Sequence, residues 1–378
     1  MDVKKMLKVL ESIPDDSFER TIFYLSANLQ NCLKMQSMQS YRLTCAYFII
    51  GSLSLLKVFD DQEQIDKLPF TKEQIIDWVY SFQIEDENSE NDSDQDESDS
   101  ALDHNYHGFR GDDFYSIKKD SKSQTHIHQG DFPHLANTYS AICVLKMLGD
   151  DLSRVNCEQI IQSLKYFQKE DGRIQCLPVD SEDDVRFAYC AAAIHKMMAE
   201  KLGDLDIPPS FDVDKMIEFY KNCLSYDGGF GWFPESESHA GLTYCLLGAF
   251  KCLGRLDDLS DDKERIIEWL VSRQCMETNG FQGRVNKIPD TCYCFWNSAS
   301  LAILDNTFPT EFVHKESITE FCEDCKRFGG YAKLVFSEFP DIVHTYYTLA
   351  FYSLIEDERL NKLDPLLAIP QTKLMLPT

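Results

Sequence analysis

An internal repeat runs through this chain of 378 residues and limits the folds that it can adopt. Each copy has a glycine-rich turn, then a loop, then a segment rich in Ala, Cys, Tyr and Leu. The turns lie at 107–111, 170–174, 226–231, 279–283 and 328–332, and the segments after them begin at His134, Val185, His239, Asp290 and His344. A period of roughly fifty residues accommodates a helical hairpin and one structured loop. We therefore predict a repeating unit of helix, loop and helix.

Apolar residues recur at helical spacing between these turns. The positions are Ala141, Ile142, Leu145 and Leu148 in one segment, and Ile266, Ile267 and Leu270 in another, where Glu264, Arg265 and Glu268 occupy the opposite face. This pattern predicts amphipathic outer helices that alternate with inner helices that are apolar on every side. Such hairpins can close into a ring. We expect an all-α fold, an α-α barrel or toroid formed as a single domain over residues 1–378, with the starts of the inner helices around one mouth.

Three side chains of metal-ligating type stand at matching points of the last two repeats. They are Asp290, Cys292 and His344, and closure of the ring would bring them together. Zinc accepts this mixture of oxygen, sulfur and nitrogen ligands, and a site with three protein ligands leaves one position for a substrate atom. We expect a catalytic zinc site whose incoming ligand is a substrate cysteine.

The same segments resemble a known family. Residues 226–245, 283–296 and 329–347 are similar to the β subunits of protein prenyltransferases, which share an α-α barrel with terpenoid cyclases, and the similarity extends from about Arg42 to Leu354. The resemblance implies zinc ligands at Asp290, Cys292 and His344. It also implies that the isoprenoid diphosphate is held by His239, Arg284, Lys287 and Tyr293. These groups suit a leaving diphosphate, which needs fixed hydrogen-bond donors and positive charge.

Two further positions resemble the type I geranylgeranyltransferase branch of that family. Lys333 stands where farnesyltransferases carry an aspartate that binds magnesium, and an ammonium there can replace the divalent ion electrostatically. Thr44 stands where farnesyltransferases have a tryptophan at the floor of the isoprenoid pocket, and the smaller side chain leaves room for a fourth isoprene unit. The resemblance therefore implies a zinc enzyme that uses geranylgeranyl diphosphate and does not require magnesium.

The resemblance also implies the protein substrate and the partner. Substrates of this branch end in a CaaX motif, often with Leu at the last position, as in Rho-family small GTPases. Residues that would contact this motif or the isoprenoid are Thr44, His134, Ala136, Arg186, Phe187 and Val343. Val343 replaces the leucine usual in the family, which would widen the pocket slightly. Catalysis in this family requires a helical α subunit, so we expect a heterodimer.

Composition excludes some classes of function. A net charge of −26 disfavours nucleic acid as a partner. Residues 85–103 carry much of that charge, and we expect them to be a disordered acidic insert, a candidate for recruiting substrates with polybasic tails. We interpret residues 21–40 as an insertion that is atypical of the family.

Cysteine usage and hydropathy predict the compartment. Most of the fourteen cysteines lie in helical segments, where a reduced thiol behaves as a small apolar group. The start of the chain lacks the apolar core of a secretory signal, and the longest apolar stretch, Leu43–Leu56, is too short to span a bilayer. We expect a cytoplasmic protein with no membrane span.

Two other pairs of metal-ligating residue types are not interpreted as metal sites. Cys322 and Cys325 form a CxxC motif without a second pair at zinc-finger spacing, and His126 and His128 are interpreted as loop residues.

Other readings stay open. The β subunit of farnesyltransferase or of the Rab-specific geranylgeranyltransferase is the nearest alternative, and Lys333 argues against both. A terpene cyclase would need a D-x-D-D run to protonate an alkene, but Ser181 precedes Asp183 and Asp184 where an earlier aspartate would be required. A non-catalytic binding module is a different class, and it would have no reason to combine zinc and diphosphate positions.

Overall fold

Helices make up most of the regular structure in this computed structural model, which describes residues 18–34, 41–84, 106–111, 132–305 and 313–371. In chain order they are α1 (Phe18–Lys34), α2 (Arg42–Leu55), α3 (Gln62–Ile65), α4 (Lys72–Tyr80), α5 (Leu135–Met147), α6 (Cys157–Ser163), α7 (Val185–Leu202), α8 (Val213–Lys221), α9 (Ala240–Cys252), α10 (Lys263–Val271), α11 (Thr291–Asp305), α12 (Lys315–Asp324) and α13 (Ile342–Leu354). Short 3-10 turns lie at Val58–Asp60, Leu164–Phe167 and Leu256–Asp262. The prediction of an all-α fold is confirmed.

The inner layer of the described part is a closed ring of helices. Helices α2, α5, α7, α9, α11 and α13 each pack against the next, and α13 packs against α2. These helices are buried around nearly their whole circumference. In α5, the predicted apolar residues Ala141, Ile142 and Leu145 are all 0% exposed. The predicted α-α barrel is confirmed.

The outer layer consists of amphipathic helices. Helices α1, α4 and α6 pack on α2, α5 and α7, and both α10 and α12 pack on α11. In α10, Ile266 and Leu270 are 0% exposed, whereas Glu264, Arg265 and Glu268 face the solvent. The alternation of outer and inner helices predicted from periodicity is confirmed.

The glycine-rich turns connect the two layers. Gly228 has φ of 103°, and a Cβ atom there would lie 2.5 Å from the carbonyl oxygen of Arg265 in α10. Gly329 has φ of 89°, and a Cβ atom there would lie 2.5 Å from the carbonyl oxygen of Arg20 in α1. Both positions need glycine for its left-handed backbone and its lack of a side chain. Because the turn at Gly329 packs on α1, the last repeat closes on the start of the chain in the outer layer as well.

Two short antiparallel hairpins complete the described structure. Strand β1 (Lys326–Arg327) pairs with β2 (Gly330–Tyr331), and β3 (Leu363–Asp364) pairs with β4 (Ile369–Pro370). The second hairpin enters the barrel from the end where the inner helices finish. The side chain of Asn361 donates to the carbonyl of Ser54, and the Leu363 N–H donates to Ser353 Oγ, at 2.8 and 2.9 Å. This segment lies beyond the last copy of the repeat, and no sequence pattern predicted its structure.

The remaining sequence predictions concern the acidic insert, the segment at 21–40, the cysteines and the absence of a membrane span. The acidic insert at 85–103 and the pair His126 and His128 lie outside the described residues. Of the predicted insertion at 21–40, residues 21–34 belong to α1 and residues 35–40 lie outside the described residues, so its status as a family-atypical insertion stays a prediction. All fourteen cysteines are free thiols. Within the described ranges, no helix combines the length and the apolarity needed to cross a membrane.

Candidate metal and substrate site

The starts of the inner helices form the mouth of the barrel. In each of the five repeats, the residue immediately before the inner helix has a side chain that accepts a hydrogen bond from the backbone N–H two residues later, at 2.8 to 3.1 Å, and so caps the helix. The capping residues are His134, Asp184, His239, Asp290 and Asp341. Because His134, His239 and Asp290 are also predicted site residues, this position supplies both a helix cap and a chemical group.

The structure brings Asp290, Cys292 and His344 together. One ligand atom from each residue lies within 4.8 Å of the other two. Asp290 precedes α11 and Cys292 lies in its first turn, while His344 is the third residue of the neighbouring helix α13. Asp290 is 4% exposed. The donor set of a carboxylate oxygen, a sulfur and an imidazole nitrogen fits zinc.

Asp341 orients His344. One oxygen of its carboxylate accepts the N–H groups of Val343 and His344, and the other lies 2.6 Å from His344 Nδ1. The other ring nitrogen, Nε2, faces Asp290 Oδ1 at 3.2 Å. A carboxylate partner on the second ring nitrogen commonly fixes the orientation of a metal-binding histidine. Asp341 is not among the residues predicted for the site, although a carboxylate at a helix start three residues before a candidate ligand is a usable sequence signal.

Electrostatics couple these side chains closely. Burial alone would lower the pKa of His344, but hydrogen bonds and charges from Asp290 and Asp341 outweigh it and raise the pKa to about 9. Burial would raise the pKa of Asp290, yet the contact with His344 leaves it below its usual value. Burial and the Asp290 carboxylate raise the pKa of the Cys292 thiol. A cation that binds this set therefore competes with protons on the sulfur and the imidazole.

Lys333 lies at the edge of this cluster. Its ammonium is 3.6 Å from Asp290 Oδ2, and its side chain is 57% exposed. The loop that carries it is anchored to α11, because the Thr291 N–H donates to the Lys333 carbonyl at 3.2 Å. The ammonium of Lys333 therefore lies beside the candidate metal ligands and is accessible from the solvent.

The predicted diphosphate-binding residues surround the adjacent part of the mouth. Arg284 and Lys287 lie on one turn of the loop that precedes α11, and the Lys287 N–H donates to the Arg284 carbonyl at 3.3 Å. Arg284 Nη1 lies 2.8 Å from the carboxylate of Glu237. This loop crosses Tyr293 so closely that a Cβ atom at Gly283 would lie 2.0 Å from the Tyr293 ring. The loop is thereby held against α11.

His239 joins this group from α9. Its Nδ1 accepts the Gly241 N–H at 3.1 Å, so the neutral ring carries its proton on Nε2, which lies 3.2 Å from the Tyr293 hydroxyl. Burial and the nearby Arg284 lower the pKa of His239 to about 4. The mouth therefore offers a neutral imidazole N–H and a phenol near the partly exposed guanidinium of Arg284, on the loop that also carries the exposed Lys287.

The predicted pocket residues also lie at starts of inner helices. His134 and Phe187 are in contact, with ring centroids 5.8 Å apart, and Arg186 binds Asp184 at 2.7 Å and lies over the ring of Trp232 at 5.7 Å. Burial and Arg186 lower the pKa of His134 to about 4. On the neighbouring helix α2, Thr44 contacts Ser140 at 3.5 Å. Ala136 and Val343 occupy the first turns of α5 and α13 and are half-buried.

Comparison with known proteins gives consistent matches. The profile of the prenyltransferase alpha-alpha toroid domain matches residues 17–369. The geranylgeranyl transferase type-1 subunit beta of Arabidopsis thaliana is 34% identical over 96% of this chain and 91% of its own length. The Dictyostelium discoideum protein of the same name is 36% identical over 81% of each chain. A solved structure of Candida albicans protein geranylgeranyltransferase-I complexed with GGPP covers 95% of this chain and 97% of its own, with a TM-score of 0.73 and 23% identity, and shares the fold.

Proposed function

Because this chain belongs to the prenyltransferase alpha-alpha toroid family, we propose that it is the catalytic β subunit of a type I protein geranylgeranyltransferase. Relatives of that name cover most of the chain at 34% and 36% identity. The observation that carries the proposal is the position of Asp290, Cys292 and His344 beside a basic cluster at one mouth of a closed helical barrel. The reaction is transfer of geranylgeranyl from its diphosphate to the cysteine thiol of a C-terminal CaaX motif.

Asp290, Cys292 and His344 would hold zinc, with Asp341 fixing the ring of His344. A zinc ion bound there would lower the pKa of the substrate thiol, so that the thiolate predominates near neutral pH. The carbon–sulfur bond forms at carbon 1 of the donor as the carbon–oxygen bond to the diphosphate breaks, and the diphosphate leaves with the bonding electrons. The reaction requires neither a protein nucleophile nor a general base.

Arg284, Lys287, His239 and Tyr293 would receive the leaving diphosphate. Fixed donors aimed at the growing negative charge stabilise the transition state more than the ground state. The lowered pKa of His239 keeps its imidazole neutral at physiological pH, so it acts as a hydrogen-bond donor, and Arg284 and Lys287 supply the charge. Arg284 exchanges its contact with Glu237 for the phosphate oxygens.

Lys333 would replace a magnesium ion. Its ammonium lies beside the candidate zinc ligands and is exposed enough to meet the diphosphate. The ammonium at this position would neutralise part of the negative charge of the diphosphate, which a magnesium ion neutralises elsewhere in the family. Zinc is therefore the metal that we propose, and magnesium is dispensable.

His134, Arg186, Phe187 and Ala136 would recognise the end of the protein substrate, together with Thr44 on the adjacent helix α2 and Val343 on α13. The substrates are CaaX proteins such as Rho-family small GTPases, and an α subunit completes the enzyme as a heterodimer. Fourteen free cysteines fit a reducing compartment, so we place the enzyme in the cytoplasm. The farnesyltransferase β subunit is the alternative that donor preference would distinguish.

A metal-dependence assay tests the proposal. The chain is co-expressed with a matching α subunit, treated with a chelator, and supplied with geranylgeranyl diphosphate and a peptide that ends in Cys-Val-Leu-Leu. We expect no transfer until zinc is restored, and no recovery with zinc in the Cys292→Ala variant. Transfer that persists in the chelated enzyme or in that variant would rule out the assigned metal site.

A further inference from the structure

The loop between β2 and α13 carries Lys333 beside the mouth. It contains one turn, at 334–337, in which the Ser337 N–H donates to the Leu334 carbonyl at 2.9 Å. The side chains of this turn include Val335 and Phe336, which are 42% and 72% exposed. Because these apolar side chains are not buried, packing contributes little to the position of the turn, and hydrogen bonds to its backbone must fix it.

Thr291 and Cys325 hold the first residues of the loop. The Thr291 hydroxyl donates to the Ala332 carbonyl at 3.0 Å, and the Thr291 N–H donates to the Lys333 carbonyl at 3.2 Å. The Ala332 N–H donates to the Cys325 carbonyl at 2.9 Å. These contacts end at the backbone of Lys333, so the turn that follows needs another partner.

Arg327 of β1 supplies that partner. Its Nη2 donates to the carbonyl of Val335 in the middle of the turn. Its Nη1 donates to the carbonyls of Asp324 and Lys326 at 2.8 and 2.7 Å. A guanidinium presents its N–H groups in a fixed fork and can bind several acceptors at once, in a geometry that an ammonium cannot match. Arg327 therefore joins the end of α12, its own strand and the turn after Lys333.

The hairpin that carries Arg327 is itself fixed. Strands β1 and β2 pair across a two-residue turn, Phe328 and Gly329, both of which have positive φ, 47° and 89°. Gly329 packs on the backbone of α1, and the ring of Phe328 stacks on the ring of Phe339 at the far end of the loop, with centroids 6.1 Å apart. Arg327 therefore ties the turn after Lys333 to a rigid part of the barrel wall.

The ammonium of Lys333 depends on this tie because its own contact is weak. It lies 3.6 Å from Asp290 Oδ2, and the Lys333 side chain is 57% exposed. This distance is longer than a hydrogen bond, and an ion pair at such exposure contributes little free energy. The contact does not hold a flexible side chain in one place. The backbone that carries Lys333 therefore decides where the ammonium lies.

We propose that Arg327 is a positioning residue of the transfer reaction, which holds the turn at 334–337 and thereby keeps the ammonium of Lys333 at the donor diphosphate. The inference rests on the proposed function, since it takes Lys333 as the group that replaces magnesium. Arg327 does not touch the donor, and its effect on diphosphate binding passes through Lys333. Without the guanidinium, the turn is released and the ammonium spends less time beside the diphosphate.

A double-mutant cycle in the heterodimer tests this dependence. The variants are Arg327→Gln, Lys333→Ala and the two combined. Arg255→Gln is the matched control, because Arg255 also joins two segments through its guanidinium, by binding Asp214 and Asp258 at 2.6 and 2.7 Å. Calorimetry measures the affinity of each zinc-loaded heterodimer for inorganic pyrophosphate, hydrogen exchange measures opening of the amides at 332–339, and steady-state kinetics give the KM for the peptide. Arg327→Lys, which keeps the charge without the fork, is the second variant if Arg327→Gln does not fold.

We expect Lys333→Ala to weaken pyrophosphate binding by roughly 10- to 100-fold, since a charged contact with phosphate is lost. Arg327→Gln should weaken it by about tenfold in the wild-type background and by less than about twofold in the Lys333→Ala background, because the two residues act as one unit. Arg327→Lys should weaken it in the same direction. Loop exchange should rise in the Arg327 variants and not in Arg255→Gln, with an unchanged peptide KM.

Equal losses of pyrophosphate affinity in the two backgrounds would overturn the proposal, because Arg327 would then act independently of Lys333. The proposal also fails if either single variant binds pyrophosphate as wild type does, or if loop exchange does not rise. A wild-type heterodimer that binds pyrophosphate but transfers no geranylgeranyl group would instead refute the proposed function, and the cycle would still decide whether Arg327 positions Lys333.

Discussion

The contact between Asp341 and His344 leads to a prediction about metal affinity. Asp341→Asn replaces the charged partner of His344 Nδ1, which lies 2.6 Å away, with a neutral amide. Loss of such a partner typically weakens metal binding by about 10- to 100-fold. The Asp341 side chain is 47% exposed, so water screens part of its charge. We therefore expect the lower end of that range, about tenfold or ~1.4 kcal/mol.

Asp341 also caps α13, and the two roles are separable. Asparagine is as good an N-cap as aspartate, so Asp341→Asn should keep the cap and lose only the charged contact with His344, whereas Asp341→Ala should lose about 1 kcal/mol of capping free energy in addition. Asp212 is a matched control, because it caps the outer helix α8 by accepting the Lys215 N–H at 3.0 Å. Asp212→Ala should cost similar stability and leave zinc affinity unchanged.

Competition with a chromogenic chelator measures zinc affinity in the heterodimer, and thermal unfolding of the same samples measures stability. The reasoning predicts weaker zinc binding in both Asp341 variants and reduced stability in the two alanine variants. An Asp341→Asn protein that binds zinc within twofold of wild type would refute the orienting role. Equal loss of zinc affinity in Asp212→Ala would show that the effect follows general destabilisation.

Three further predictions concern other parts of the molecule. Arg284→Gln should raise the KM for geranylgeranyl diphosphate by about 10- to 100-fold, because a charged hydrogen bond to phosphate is lost; an unchanged KM in steady-state kinetics would remove Arg284 from the diphosphate site. Gly248→Ala places a Cβ atom 2.8 Å from Tyr189 and should destabilise the protein by roughly 1–3 kcal/mol, which denaturant unfolding would detect; wild-type stability would contradict the close packing. Burial lowers the pKa of His195, so its contribution to stability is complete above the ordinary pKa of 6.5 and is lost as the pH falls from there toward the lowered value. His195→Gln should therefore lose less stability than wild type between pH 7 and pH 5.5 in denaturant titrations, and parallel losses would contradict this account.

The repeat explains why the barrel could be predicted from the sequence. Each copy carries the same signals, a glycine-rich turn and an apolar segment that must be covered on every side. A glycine with positive φ lies in four of the five turns, and Asn279 takes the positive φ in the fourth copy. Closure of the ring follows from the repeat, and it accounts for the meeting of Asp290 and His344, which are far apart in the chain. The apolar face of α10 was likewise predictable from the spacing of Ile266 and Leu270.

The hairpin Leu363–Pro370 could not be predicted in this way. It lies beyond the last copy of the repeat, and its carbonyls at 365–368 accept hydrogen bonds from the hydroxyls of Tyr47, Tyr139, Tyr189, Tyr244 and Tyr346, which belong to five helices spread over most of the chain. The tyrosines at 139, 189, 244 and 346 occur in the repeat at one position, but their partners are backbone carbonyls, which leave no sequence signal. The orienting role of Asp341 is predictable from the sequence, since a helix cap beside a candidate ligand is a local pattern.

Donor preference without magnesium tests the central claim most directly. The heterodimer is supplied with zinc, a peptide that ends in Leu, and either geranylgeranyl or farnesyl diphosphate, with magnesium omitted. The account predicts efficient transfer from geranylgeranyl diphosphate and much slower transfer from farnesyl diphosphate, because Thr44 leaves room for the longer chain and Lys333 replaces the divalent ion. A preference for farnesyl diphosphate, or strict dependence on magnesium, would contradict the assignment to the type I geranylgeranyltransferases.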